Sequence, residues 1–446
     1  MRFTVSSPVG PIILLFHGLL ILLAILYYMG IPWQRVYTMG LFGFAFIWGM
    51  ITVTKRFRER LPVRNRIDFL FAAFLLAVLI SLATHWWEGS IKRLVFLPFL
   101  MILPYILGRV MRPKDVFVLP GSFIFMALLL LILIFPEYLR YMQYGYQYID
   151  SPYPVLFDKN VSVMMSGNLL GISLISLVFI SLIQGSESDD QSLRSGRMHY
   201  FLYVGILVIS FLLVWIGSRG PLLVAIIGMG VLLFLFPPTF SMRKIKILLV
   251  IVVSLVIAFT ATMQRNASLV HYTNLLKSPM GHWTPAETKE PSSKQTLGGV
   301  SVLGPSKCDH ILDSISDRWI HFHQAVTLFL QKPLIGVGAN QYGFYSCQGP
   351  GAFPHNIILH TFVELGWVVG VLYSYLLWMT ISVPLGLCRP LQRKRWGSLG
   401  YWLTAFCIMQ ILLALISGDY FVSAPVYFIM GFAASGLDSN AINENH

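Results

Sequence analysis

Apolar runs of about twenty residues recur along the whole chain, and they are continuous rather than alternating. They fall near 11–31, 37–54, 67–84, 94–110, 116–136, 161–183, 200–217, 221–237, 246–263, 355–387, 398–416 and 421–437. That pattern predicts an all-α integral membrane protein with about twelve spanning helices. A β-barrel would alternate apolar and polar positions instead. The tenth run is long for a bilayer, so it is expected to tilt or to emerge at one end.

Two stretches interrupt the rhythm. Residues 184–199 are polar and rich in Ser and Asp, and read as a connector. Residues 264–354, about 90 in number, are too many for a bare connection and are predicted to hold structure of their own. Within them Leu312, Ile315, Trp319, Phe322, Val326 and Phe329 recur at three- and four-residue steps, the mark of an amphipathic helix that stops before Pro333. Residues 278–307, rich in Gly, Pro, Ser, Thr and Lys, read as a candidate lid. The expected organisation is helices one to nine over 1–263, a loop domain over 264–354, and helices ten to twelve over 355–446.

Composition agrees with this reading: 56% of residues are hydrophobic, only 11% are charged, and the mean hydropathy is +0.71. A soluble chain carries about one-quarter charged residues. The net charge of +13 does not suggest nucleic acid, because its basic residues cluster in short loops between spans. One alternating set of loops, at 55–66, 109–114, 242–246 and 389–395, is dense in Lys and Arg and reads as cytoplasmic. The opposite set is poor in them and reads as external, so both termini come out cytoplasmic.

Membrane proteins reveal chemistry by where they tolerate charge, and here the unusual polar residues gather at the external face. Arg219 sits in the tight Gly217-Ser218-Arg219-Gly220 hairpin, on the side where the charge rule does not expect it. Arg265 follows the ninth span, and Arg318 lies beside the apolar stripe of the amphipathic helix. Guanidinium groups bind phosphate through two parallel bonds and stay charged, so the three could cradle a diphosphate. Arg265 reads equally as a membrane anchor.

His355, in Pro354-His355-Asn356 at the mouth of the tenth span, has the right chemistry for a general base. Asp419, in the turn Ser417-Gly418-Asp419-Tyr420, could orient His355 or be the base itself; a plain turn aspartate is the third reading. Glu364, lower on the same helix as His355, reads as a buried carboxyl with a structural partner. Arg140, among the tyrosines after the fifth span, is a candidate glycan or phosphate contact. His310, Asp313, Asp317 and His321 share a stripe that reads as a solvated face far more readily than as a metal site. Cys308 and Cys347 flank the amphipathic helix and are disulfide candidates, with two free thiols as the alternative. No Walker loop, dinucleotide fingerprint or Asp-x-Asp pair occurs, so neither cofactor nor metal is expected.

Three motifs together resemble the O-antigen ligase and polymerase superfamily of bacterial envelope glycosyltransferases. They are Gly217-Ser218-Arg219-Gly220, Arg318-Trp319 leading into Pro333-Leu334-Ile335-Gly336-Val337-Gly338, and His355-Asn356-Ile357-Ile358-Leu359 followed by Glu364-Leu365-Gly366. They span roughly residues 200–385, while 1–199 match only as a run of spans. The resemblance implies a GT-C-like helical fold with a large periplasmic loop in the inner membrane of a Gram-negative bacterium. It implies a donor glycan on undecaprenyl pyrophosphate and, for a ligase, an outer-core sugar of lipid A-core as acceptor. It places diphosphate binding on Arg219 and Arg318 and the base on His355; Arg265 and Asp419 match less distinctive patterns. In-line attack would invert the anomeric centre without ATP or metal. The runner-up is the polymerase, whose acceptor is another lipid-linked glycan. A lipid-linked glycan flippase is the reading from a different class, though transporters place their groups near the midplane on repeated, broken helices.

Overall fold

A computed structural model describes residues 65–110 except 87, parts of 119–131, 155–156, 159–160, 163–183, 192–215, 219–237, 241–263, 295–297, 300–302, 314–346, 352–387, 398–421 and 423–443. The expected spans at 11–31 and 37–54 lie outside these residues, and 116–136 is described only in part. Among the described residues four helices are long and apolar enough to cross a bilayer: Arg66–Thr84, Ser90–Val110, Ile357–Gly386 and Leu399–Ser417. Shorter apolar helices run over Gly167–Ile183, His199–Val214, Gly220–Leu235 and Ala424–Ser435. The protein is therefore a helical membrane protein. Its described strands are two small antiparallel pairs, Val155–Leu156 with Lys159–Asn160 and Gln295–Leu297 with Val300–Val302.

The chain divides into two compact units that interleave along the sequence. The first draws its described helices from 112–283 and 386–409, the second from 49–111, 284–385 and 410–446.

In the first unit, α4 (Val163–Ile183), α5 (Ser192–Trp215), α6 (Arg219–Leu235) and α7 (Ser241–Met263) pack with the start of α11 (Leu399–Ser417). Lipid is as apolar as leucine, so helix association here relies on close approach and interhelical hydrogen bonds. Small residues provide the approach: a side chain at Gly171 or Gly228 would collide with Met409 or Ile175. Hydroxyls provide the bonds. Trp402, fully buried, donates to Ser176 at 3.1 Å, and Ser254 donates to the Leu207 carbonyl at 2.7 Å.

The second unit holds α1 (Arg66–Thr84), α2 (Glu88–Leu97) continued through a wide turn at Pro98–Ile102 into α3 (Leu103–Val110), α8 (Ser314–Gln331), α9 (Tyr342–Tyr345), α10 (Ile357–Leu387) and α12 (Ala424–Asn443). Asn65 caps α1 by a reciprocal box with Asp68. α3 and α12 meet backbone to backbone, since a side chain at Gly108 would strike the Phe428 carbonyl and one at Gly431 the Tyr105 carbonyl. Phe71, Phe74, Tyr105, Tyr373, Tyr420 and Tyr427 form the aromatic centre of its core.

α8 is the amphipathic helix the sequence predicts, with its buried face displaced by one residue. His321, Ala325 and Leu328 are buried, while Phe322 is exposed. In a membrane protein an apolar side chain need not face the core, so hydropathy marks the packed face poorly. The long tenth run is not one continuous helix. α10 breaks at Gly366, whose φ of 80° and ψ of 177° no helix contains.

Candidate functional site

The break at Gly366 and the loop after α8 complete each other. Pro333 ends α8, and residues 333–342 then fold against the break. Val337 donates to the Val363 carbonyl at 2.8 Å and Gly338 to the Glu364 carbonyl at 2.9 Å. Trp367, opening the second half of α10, donates to Pro333 at 2.8 Å. Backbone groups that the break frees thus find partners in the loop. Glycine is required at two of these positions: Gly336 and Gly366 both have positive φ, and a side chain on either would overlap the facing backbone.

The Glu364 side chain turns toward the same loop and is fully buried. Its Oε2 accepts from the Asn340 N–H at 2.6 Å and the Tyr420 hydroxyl at 2.7 Å, and its Oε1 from the Tyr342 N–H at 3.0 Å. Sequence reading expected a buried carboxyl with a structural partner here, and the structure supplies three donors. His360, one turn earlier, lies between two carboxylates: Nε2 is 3.2 Å from Glu364 and Nδ1 is 3.4 Å from Asp419. These are close ion-pair contacts rather than aligned hydrogen bonds.

Asp419 is 5% exposed in the turn between α11 and α12. Its Oδ2 pairs with Arg93 Nη1 at 3.0 Å, and its Oδ1 accepts from the Phe421 N–H at 2.8 Å. Arg93, on α2, also donates from Nε to Asn340 Oδ1 at 3.1 Å and lies 4.7 Å over the Phe421 ring. Two carboxylates thus face one guanidinium and one imidazole, a set that is neutral when the imidazole is protonated. Burial opposes ionisation of Asp419, yet His360, Arg93 and the Phe421 N–H together hold it well below the usual carboxylate range. Burial, and then the charge of Glu364, push the Tyr420 and Tyr342 hydroxyls up.

His355 lies just outside this network, half-buried. Asn356 is the N-cap of α10: its side chain accepts from Leu359 N–H at 2.9 Å and its carbonyl from His360 N–H at 2.8 Å. His355 therefore precedes the cap, and its φ of 56° turns it into the left-handed region, unusual for a residue with a side chain. The Phe353 ring is 4.7 Å from it and the His321 ring 5.9 Å, centre to centre.

The structure thus brings His355, Asp419 and Glu364 into one unit. Of the other residues expected at a site, Arg219 opens α6 and Arg318 lies on α8, with side chains outside the described atoms. Arg265, Arg140, Cys308 and Cys347 lie outside the described residues. His321 was expected on a solvated stripe and is instead buried against Tyr342, because α8 turns that face toward the loop. His310 and Asp313 of that stripe are outside the described residues, as is the proposed lid apart from 295–297 and 300–302.

Sequence reading missed Arg93, His360, Asn340 and Tyr342. Two carried a signal. Arg93 is a basic residue just after residues 85–90, one of the loops poor in Lys and Arg that read as external, the exception that had marked Arg219. His360 and Glu364 stand four apart, on one helical face. Asn340 and Tyr342 reach Glu364 through backbone N–H groups, which no residue pattern announces.

A comparison with curated proteins finds no match. Residues 204–374 match a family model described as O-antigen ligase, a span that runs from α5 into α10 and includes the loop, His355, His360 and Glu364 but neither Arg93 nor Asp419. Over that span the chain is similar to the O-antigen ligase family.

Proposed function

We propose that the protein transfers a glycan from undecaprenyl pyrophosphate to an outer-core sugar of lipid A-core, with His355 as general base. The observation that carries this reading is His355 itself: a half-buried imidazole on a left-handed backbone ahead of the α10 cap, beside a buried polar network, inside the segment matched to O-antigen ligases. In this reading the acceptor hydroxyl attacks the anomeric carbon in line with the departing diphosphate. The new C–O bond forms as the sugar–diphosphate bond breaks, the hydroxyl proton passes to His355, and the bonding pair leaves with undecaprenyl diphosphate. Configuration inverts, and the activated donor needs neither ATP nor a metal.

In this reading Arg219, Arg318 and Arg265 neutralise the charge that develops on the diphosphate, and Arg140 contacts glycan or phosphate. Asp419 orients the site rather than taking the proton, because its oxygens already accept from Arg93 and Phe421 and its basicity is depressed. The same reading keeps about twelve spans in a GT-C-like arrangement. It keeps a periplasmic loop domain, with Cys308 bridged to Cys347, in the bacterial inner membrane with both termini cytoplasmic.

Expression in a bacterium lacking its own O-antigen ligase tests the assignment. Restored glycan on lipid A-core is the expected result. A change in polymer length without attachment would point to the polymerase instead, and no change in either would contradict both. Arg219→Lys and Arg318→Lys should accumulate in the membrane yet lose most attachment, because an ammonium cannot reproduce the guanidinium fork.

A further inference from the structure

We propose that Tyr342 and His321 form a positioning pair that sets the His355 ring, anchored in turn by Glu364. The inference rests on the reading of His355 as the base. A left-handed backbone fixes where His355 starts, but half-exposure leaves its ring to be placed by neighbours. Among the described residues two rings flank it: Phe353, and His321 approaching edge-on with an interplanar angle of 63°.

His321 is 1% exposed on α8. Packing alone does not orient an imidazole, because its ring can flip with little change in shape. Tyr342 removes that freedom. Its hydroxyl donates to the His321 carbonyl at 3.1 Å and so has only its oxygen left for His321 Nδ1, also 3.1 Å away. That arrangement puts the His321 proton on Nδ1 and fixes the ring. Tyr342 is itself fully buried, and its N–H is bound by Glu364 Oε1.

The links therefore run from Glu364 on α10 to Tyr342 in the loop, to His321 on α8, and back to His355 ahead of α10. The other wall returns to the same carboxylate. Phe353 stacks on His360 at 6.0 Å, and His360 lies 3.2 Å from Glu364. Both rings that flank His355 thus trace back to Glu364, and the hydroxyl of Tyr342 is the link that can be removed with least disturbance.

The test uses the full-length protein in detergent, transferring glycan from an undecaprenyl diphosphate donor to lipid A-core. Tyr342→Phe keeps the ring and the N–H to Glu364. It should lower kcat about ten- to hundredfold, as expected for a misplaced catalytic group, with KM for donor and acceptor unchanged. His321→Phe should give the same split, and the double variant should lose no more than the worse single one, because both break one link. A normal kcat in Tyr342→Phe, or losses that multiply in the double variant, would overturn the inference. Should Tyr342→Phe fail to accumulate, His321→Phe alone decides: reduced kcat at constant KM supports the pair, and normal kcat rejects it. His355→Ala in the same assay separates the two claims. If it keeps activity, the base assignment fails. If it is inactive while Tyr342→Phe is normal, only the positioning pair fails.

Discussion

Two charge groups in the second unit, each at least partly buried, use similar residues to different ends. Between α1 and α3, Arg109 grips Asp68 through Nε at 3.0 Å and Nη2 at 3.1 Å, and Tyr105 donates to the same carboxylate at 2.6 Å. One acid meets one base in a bidentate fork, beside a helix cap. The other group joins Arg93, Asp419, His360 and Glu364, drawn from α2, α10 and the α11–α12 turn. It includes a histidine, borders a broken helix, and lies beside residues with left-handed backbones, Asn340 and His355. The first has what a staple needs. The second keeps features that cost stability, which proteins retain chiefly where they serve function.

The difference can be broken by substitution. The largest effect is expected from Asp419→Ala, which leaves Arg93 and His360 buried without a shared partner. It should destabilise by about 3–5 kcal/mol and also remove transfer activity from whatever remains folded. Asp68→Asn weakens the staple and should cost about 1.5–3 kcal/mol, while the folded fraction transfers normally. Thermal unfolding and activity per folded molecule, measured on both, would separate a site from a staple. Equal activity losses in the two variants would erase the distinction.

Gly366→Ala comes next. It meets both a positive φ and the Leu334 backbone, so a loss of about 1–3 kcal/mol is expected, and the loop carrying Asn340 and Tyr342 should become accessible to protease. An unchanged digestion pattern would contradict the coupling of loop and break.

Acid gives the smallest effect. Asp419 is held below its unfolded value, so its contribution is complete above about pH 4 and is lost only as pH falls through the lower folded value. Unfolding temperature should therefore owe no slope to Asp419 between pH 5 and 8. A fall in unfolding temperature on acidification from pH 8 to 5 that Asp419→Asn abolishes would refute the pairing.

Much of this architecture was readable before the structure. Each described apolar helix falls on an expected span, because continuous hydropathy is a local property of the chain. His355 and Asp419 stood out as polar residues at the expected ends of apolar runs, and Glu364 as a carboxyl inside one. What escaped was assembly. The Gly336 and Gly366 motifs are far apart in sequence, and only folding shows that one fills the break made by the other. Arg93 meets Asp419 across more than 300 residues, a pairing no periodicity encodes.

The account stands on His355, and the direct measurement is transfer by purified His355→Ala from an undecaprenyl diphosphate-linked glycan to lipid A-core, with donor binding measured alongside. Loss of transfer with donor binding intact is the predicted result. Substantial transfer by the variant would contradict the account and pass the proton to another group, Asp419 first among them.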